Sequence, residues 1–324
     1  MARDLLFTNG VIAAREKYLL KDKILKLCEA GAEDAFRTLT EGGFGKGADV
    51  ASVYEYERLV SADEAAIDAF IREYAPSEAE AEYLLAPRDF HNAKAAVKAY
   101  YTGADLEKLL APDGLVSATV IINAVKEKDY SPLGKFLKEA VTQSAALFEA
   151  ENASVSGAEI GIIFEKALYS HLAHATSKNS LLKKLLSAKA DMTNILTALR
   201  SSEAEYASKC YVSGGKLTEK QLERIFDENP DKAEHALDGT PYKEFYEKCF
   251  ADKAAGLPLT QAEKVCESYE TEYFTAKKYE LEKNQPFLYY VFRRRAENAN
   301  VRILFVCLLA EMPENEIKKR LRTF

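Results

Sequence analysis

The stretch DFHNAKAAVKAYYTG, residues 89–103, places an acid and an asparagine three residues apart, Asp89 and Asn92, beside an apolar stripe of Phe90, Ala93, Val97 and Tyr100. At 3.6 residues per turn these positions fall on one side of a helix, with the polar pair at the edge of the apolar face. The arrangement returns as DMTNILTALRSS, led by Asp191 and Asn194, and as ENANVRILFVCLL, led by Glu297 and Asn300. Four residues after each acid stands Ala93, Ile195 or Val301, and eight after it Val97, Leu199 or Phe305. A basic residue lies one or two positions before each acid: Arg88, Lys189 and Arg295. One position is not shared, because Leu196 stands where the other copies have Lys94 and Arg302.

A repeat of about a hundred residues is too long for a solenoid unit and suits three duplicated helical domains, expected at 1–110, 111–215 and 216–324, with first helices free to pack across the boundaries. Three like domains stack into a rod or close into a pseudo-threefold ring around a hole. The flanks also recur: Asp113-Gly114-Leu115 and Gly214-Gly215-Lys216-Leu217 end a turn and start a helix, and Met312-Pro313 takes that place in the third copy. At the stripe edge, a half-buried acid or asparagine can bond a neighbouring helix or a loop amide. That would tie each repeat together internally; the alternative is a shared partner-binding position.

Composition agrees with an all-α fold. The 324 residues exceed one ordinary domain, and 15 Gly and 9 Pro leave little material for a sandwich or doubly wound sheet, while Ala, Leu, Glu and Lys are abundant. Helical periodicity is read over 61–75 with Ser61 as N-cap, over 131–151, 156–175, 258–284, and over 217–229, where Pro230 stops it. TVIINAV, 119–125, is the best strand candidate, though its flanks look helical. The start shows no signal-peptide pattern. ILFVCLLA, 303–310, falls short of the roughly 20 residues of a membrane span, so it reads as a buried helix of a soluble chain. Five scattered cysteines without a CxxC read as reduced thiols in a cytoplasm.

No constellation of catalytic, cofactor-binding or metal-ligating residues emerges. EGGFGKG, 41–47, lacks the GxxxxGK[ST] spacing of a phosphate loop and reads as a connection between helices. His171 and His174 share a helical face without a third ligand nearby, and His91 reads as solvent-facing. A net charge of −7 argues against nucleic acid as the general partner. Acids crowd residues 61–82, and bases crowd 286–324, densest at Arg293-Arg294-Arg295 and at KKRLR, 318–322. These runs are either solvated helix faces that offset each other or, for the basic one, a docking patch. The basic rim formed by Arg88, Lys189, Arg293, Arg294 and Arg295 is the candidate partner-docking set.

The ordered set of DFHNAKAAVKAYYTG, DMTNILTALR, SGGKLTEKQL with LDGTPY, and YYVFRRRAENANVRILFVCLLAEMPENEIKKRL resembles the C subunit of bacterial and archaeal V/A-type rotary ATPases, related to the d subunit of eukaryotic vacuolar ATPases. NGVIAAREKYLL suits that family's first helix, so the resemblance runs end to end. It implies an all-helical, three-domain funnel that performs no chemistry and holds no cofactor. It also implies two partners, the central stalk and the membrane proteolipid ring, and a cytoplasmic place peripheral to the inner face of the membrane. A helical scaffold unrelated to rotary ATPases is the alternative.

Overall fold

Several helix starts are written locally. Ser156 accepts from the Glu159 amide while the Glu159 carboxylate accepts from the Ser156 amide, and Thr218 and Gln221 make the same reciprocal pair. Asn179 caps through Leu182 and Ser117 through Thr119. The computed structural model describes residues 5–16, 19–20, 23–151 and 154–322, so Lys17 and Tyr18 of NGVIAAREKYLL lie outside the described residues. All regular elements among the described residues are helical, and there is no strand.

The chain divides into two compact units, one of residues 1–77 with 267–324 and one of residues 78–266. The first opens with α1 (Leu5–Arg15), α2 (Lys23–Leu27), α3 (Ala32–Glu41) and α4 (Tyr56–Tyr74). The second holds α5 (Glu78–Thr102), α6 (Ala118–Glu127), α7 (Lys135–Glu149), α8 (Gly157–Ala175), α9 (Ser180–Arg200), α10 (Ala204–Cys210), α11 (Glu219–Glu223), α12 (Pro230–Glu234) and α13 (Lys243–Ala254). Next, α14 (Thr260–Thr275) runs through the boundary, and the first unit is completed by α15 (Gln285–Leu309) and α16 (Glu314–Arg320).

Each long repeat helix seats its apolar stripe in a different core. Phe90, Ala93 and Val97 of α5 pack with residues of α6, α7 and α8, and Ile195 and Leu199 of α9 with Leu222, Tyr246 and Cys249. Val301 and Phe305 of α15 pack with Ile24, Phe36, Leu39, Leu59 and Val60. The positions four after each acid are all 0% exposed, so the repeat is first of all a repeat of packing. Burial of the Ile195 or Val301 side chain contributes about 1.5–3 kcal/mol. Tyr100 departs from the expected stripe and stays 44% exposed.

Several local expectations are corrected. The helix expected to start at Ser61 begins at Tyr56, because Leu59 and Val60 are core residues whose burial outweighs the capping preference of serine. Pro230 does not stop a helix: α11 and a 3-10 turn end at Phe226, and Pro230 starts α12, where its missing N–H has no bond to lose. TVIINAV lies within α6. The helices expected over 131–151 and 258–284 are shorter, Lys135–Glu149 and Thr260–Thr275.

Candidate functional site

The asparagine of the repeated polar pair forms the same clasp in all three copies. The Asn92 amide donates to the Ala111 carbonyl at 3.1 Å and accepts from the Ala111 N–H at 2.8 Å. Asn194 does the same with Val212 at 3.1 and 2.8 Å, and Asn300 with Arg322 at 3.0 and 2.6 Å. A side-chain amide can both donate to and accept from one residue's backbone in this way, whereas a carboxylate lacks the donor. The asparagines are 0–5% exposed and the acids 0–4%, so both sets are buried outright rather than at a half-exposed edge.

The acids bind amides of the following loop. Asp89 accepts from Leu115 and Val116, both at 3.1 Å, and Asp191 Oδ1 accepts from Lys216 and Leu217, both at 2.8 Å. A glycine precedes each donor pair. A Cβ on Gly114 would stand 2.7 Å from Asp89 Cγ, and one on Gly215 would stand 3.1 Å from Asp191 Cγ, nearer still to its Oδ1. The third copy solves the contact differently. Glu297 accepts from the Leu20 amide at 2.9 Å, 277 residues back along the chain. The extra methylene of glutamate carries the carboxylate farther out, to a backbone with Leu19 in place of a glycine. Met312-Pro313 therefore does not replace the glycine turns. It leads into α16, and the amide that answers the acid comes from the other end of the sequence.

Burial pushes the Asp89 carboxyl up to about 6, against the pull of the Val116 and Leu115 amides. Asp63, on α4, is raised by burial and drawn back by Arg294. Helices α4 and α15 carry the meeting of the acidic and basic runs. Arg294 bonds Asp63, Arg302 holds Glu57 and Glu64 at 2.7 Å each, and Arg294 lies 3.5 Å from Glu297. The tail run is similarly engaged: Lys318 reaches Glu29 at 3.2 Å and Arg322 reaches Glu267 at 2.6 Å.

Arg294 is accordingly removed from the docking set. It is 8% exposed and committed to buried carboxylates, a position that only a charged partner makes tolerable. Arg293 bonds the Tyr289 hydroxyl at 3.1 Å and is largely covered, while Arg88, Lys189 and Arg295 are half-buried. His171 bonds Glu82 at 2.6 Å and faces the rings of Phe90 and Phe136. His91 is exposed and meets the Leu109 carbonyl at 2.8 Å. EGGFGKG makes the turn that leaves α3. Among the described residues no group of three or more His, Cys, Asp or Glu could hold a metal ion, and no helix is long and apolar enough to cross a membrane.

The glycine close approaches and the Leu20 bond escaped the sequence reading. The glycines had a signal in their near-constant offset from the acid, and the third copy had one in its change from Asp to Glu.

Three helices built to one pattern, each clasped to a loop and seated in its own core, define an all-helical repeat protein. The ATP synthase (C/AC39) subunit family matches residues 8–320, and the chain belongs to that family, the C/d subunit of V/A-type ATPases. Membership places it in a rotary ATPase complex. No individual curated protein matches the chain.

Proposed function

We propose that this chain is the non-catalytic coupling subunit of its rotary ATPase, a socket that joins the central stalk to the membrane proteolipid ring on the cytoplasmic side and turns with them. The observation that carries the reading is the thrice-built clasp in a chain that belongs to the C/AC39 family over nearly its whole length. A coupling element needs stiffness more than chemistry. Each ion crossing the membrane delivers about 2.3 kcal/mol per 100 mV, and several must be pooled through interfaces that hold without slipping. Buried, hydrogen-bonded clasps remove freedom from the loops they hold, and dense interiors transmit strain.

Three pseudo-repeats around a common axis, as a funnel, are part of the same proposal. The clasps favour counting each repeat from the start of its long helix, near 78, 180 and 285. The turns near 110 and 215 are bonded back to the helices before them. On this count the third repeat runs from α15 into residues 19–74, which the Leu20 bond and the shared core support. The basic rim is proposed from Arg88, Lys189, Arg293 and Arg295.

The test is affinity of the full chain for purified stalk and for the purified ring. Charge reversal at Arg88, Lys189 and Arg295 should weaken one of the two, more at low salt than at high, with circular dichroism unchanged. Failure of the wild-type chain to bind either partner would sink the reading.

A further inference from the structure

Within the unit of residues 1–77 and 267–324, the end of α15 and the start of α3 enclose a cleft of about 680 Å³, within the size range of binding pockets. Its floor is the open side of that unit's core. Leu308, Leu309 and Met312 are only half-covered there, and Tyr54 beside them is 78% exposed. Its rim carries Glu29, Glu33, Asp34, Glu311 and Glu314, and none of the described lining residues is basic. Lys318 reaches Glu29 and Glu314, and Arg37 reaches Asp34. The acids still outnumber the cations that approach them. The C-terminal end of α15, a helix of 25 residues, adds its partial negative charge at the same place. Glu311 stands at φ 54°, a position where a glycine would close the helix without strain.

The other unit indicates what such a place holds when it is filled. Leu309 lies twelve residues after its acid, and so does Tyr101 after Asp89. Tyr101, half-buried like Leu309, has its partners within its own unit: it stacks on Phe148 at 4.7 Å and bonds Glu149 at 2.8 Å, and Glu149 in turn takes the Lys128 ammonium at 2.5 Å. An apolar ring and a lysine thus complete that site from within, whereas at Leu309 the apolar floor and the carboxylates face outward.

We propose that this cleft docks an amphipathic helical segment of a neighbouring subunit. Its aliphatic or aromatic side chain would seat on Leu308, Leu309 and Met312, and flanking lysine or arginine side chains would meet the acidic rim. The rotor reading supplies only the expectation that the neighbour is a subunit of the same complex. The chemistry of the occupant is read from the cleft.

The chain has no tryptophan, so a tryptophan placed in a probe reports on the probe alone. The probe is a designed helical peptide with a leucine face that includes one tryptophan, flanked by lysines. Titration of the full-length chain should give a saturable blue shift of its emission. The exposed-site variants Glu33→Lys with Glu311→Lys, and separately Tyr54→Ala, should each weaken binding about tenfold or more with circular dichroism unchanged. Absence of a saturable shift, equal binding by a peptide with glutamates in place of the lysines, or variants that bind like the wild type would each overturn the proposal. So would sedimentation showing a dimer of the chain that the same variants disperse, since the cleft would then belong to a second copy. Loss of stalk and ring binding with the peptide titration intact would remove the rotor reading and leave the docking site standing.

Discussion

At the residue scale, the clasps turn on groups that differ by single atoms. Gly114 and Gly215 are needed for space beside a carboxylate rather than for conformational freedom, since neither stands at positive φ. Alanine at an unstrained glycine usually stabilises by about 0.4–1 kcal/mol. Here the sign should reverse: Gly114→Ala and Gly215→Ala should each cost about 1–3 kcal/mol from overpacking, read as a lower urea midpoint. Asp89 gives a prediction in pH. Its folded value of about 6 lies above the ordinary 3.8, so its contribution is fully present below about pH 4, declines through pH 6, and is constant above that. The stability of the wild type relative to Asp89→Asn should therefore fall between pH 4 and pH 7 in urea titrations. A difference that stays level, or grows with pH, would contradict the burial argument.

At the element scale, the pairing of α4 with α15 decides how two charged stretches coexist in one unit. Asp63 and Arg294 are buried together, and removing one partner leaves the other charged and enclosed. Arg294→Met alone should cost about 3–5 kcal/mol, and adding Asp63→Leu should recover most of it. Thermal or urea unfolding of the four-member cycle measures the coupling, and additive losses would show that the pair is not a unit. Arg302, held by Glu57 and Glu64, is the half-exposed counterpart, and in the second copy Leu196 at its register position is buried in an apolar core. The unmatched basic position thus reflects what each helix packs against. One repeat neutralises an acidic neighbouring helix, and another fills a hydrophobic cluster.

At the scale of the whole molecule, the unit of residues 78–266 contains two of the clasps and the two cores that go with them, and all of those bonds close within it. A fragment of residues 78–266 should fold alone, with helical circular dichroism and a cooperative urea transition. A non-cooperative, expanded fragment would refute its independence. The complementary unit is different in kind. Its core joins residues 20–60 to 301–321, and its acid clasp spans most of the chain, so closing it carries the entropy of a long loop. Its assembly has to wait for both ends of the sequence, whereas each clasp of the other unit closes over fewer than thirty residues.

The sequence by itself determined the helical class, the three repeat helices and the position of the polar pair in each, and its ordered motifs carried the family resemblance. All of these rest on periodicity, capping and spacing, which are local properties. Only the tertiary structure decided the rest. Leu20 answers Glu297, Arg294 is a core residue and not part of a docking patch, and the acidic and basic runs face one another on α4 and α15. Leu309 ends up lining an acidic cleft while Tyr101 at the same register stacks on Phe148. The physical reason is common to all four. A helix's own sequence fixes which face is apolar, but the groups that meet that face come from segments up to 277 residues away, and no spacing rule within the helix specifies them.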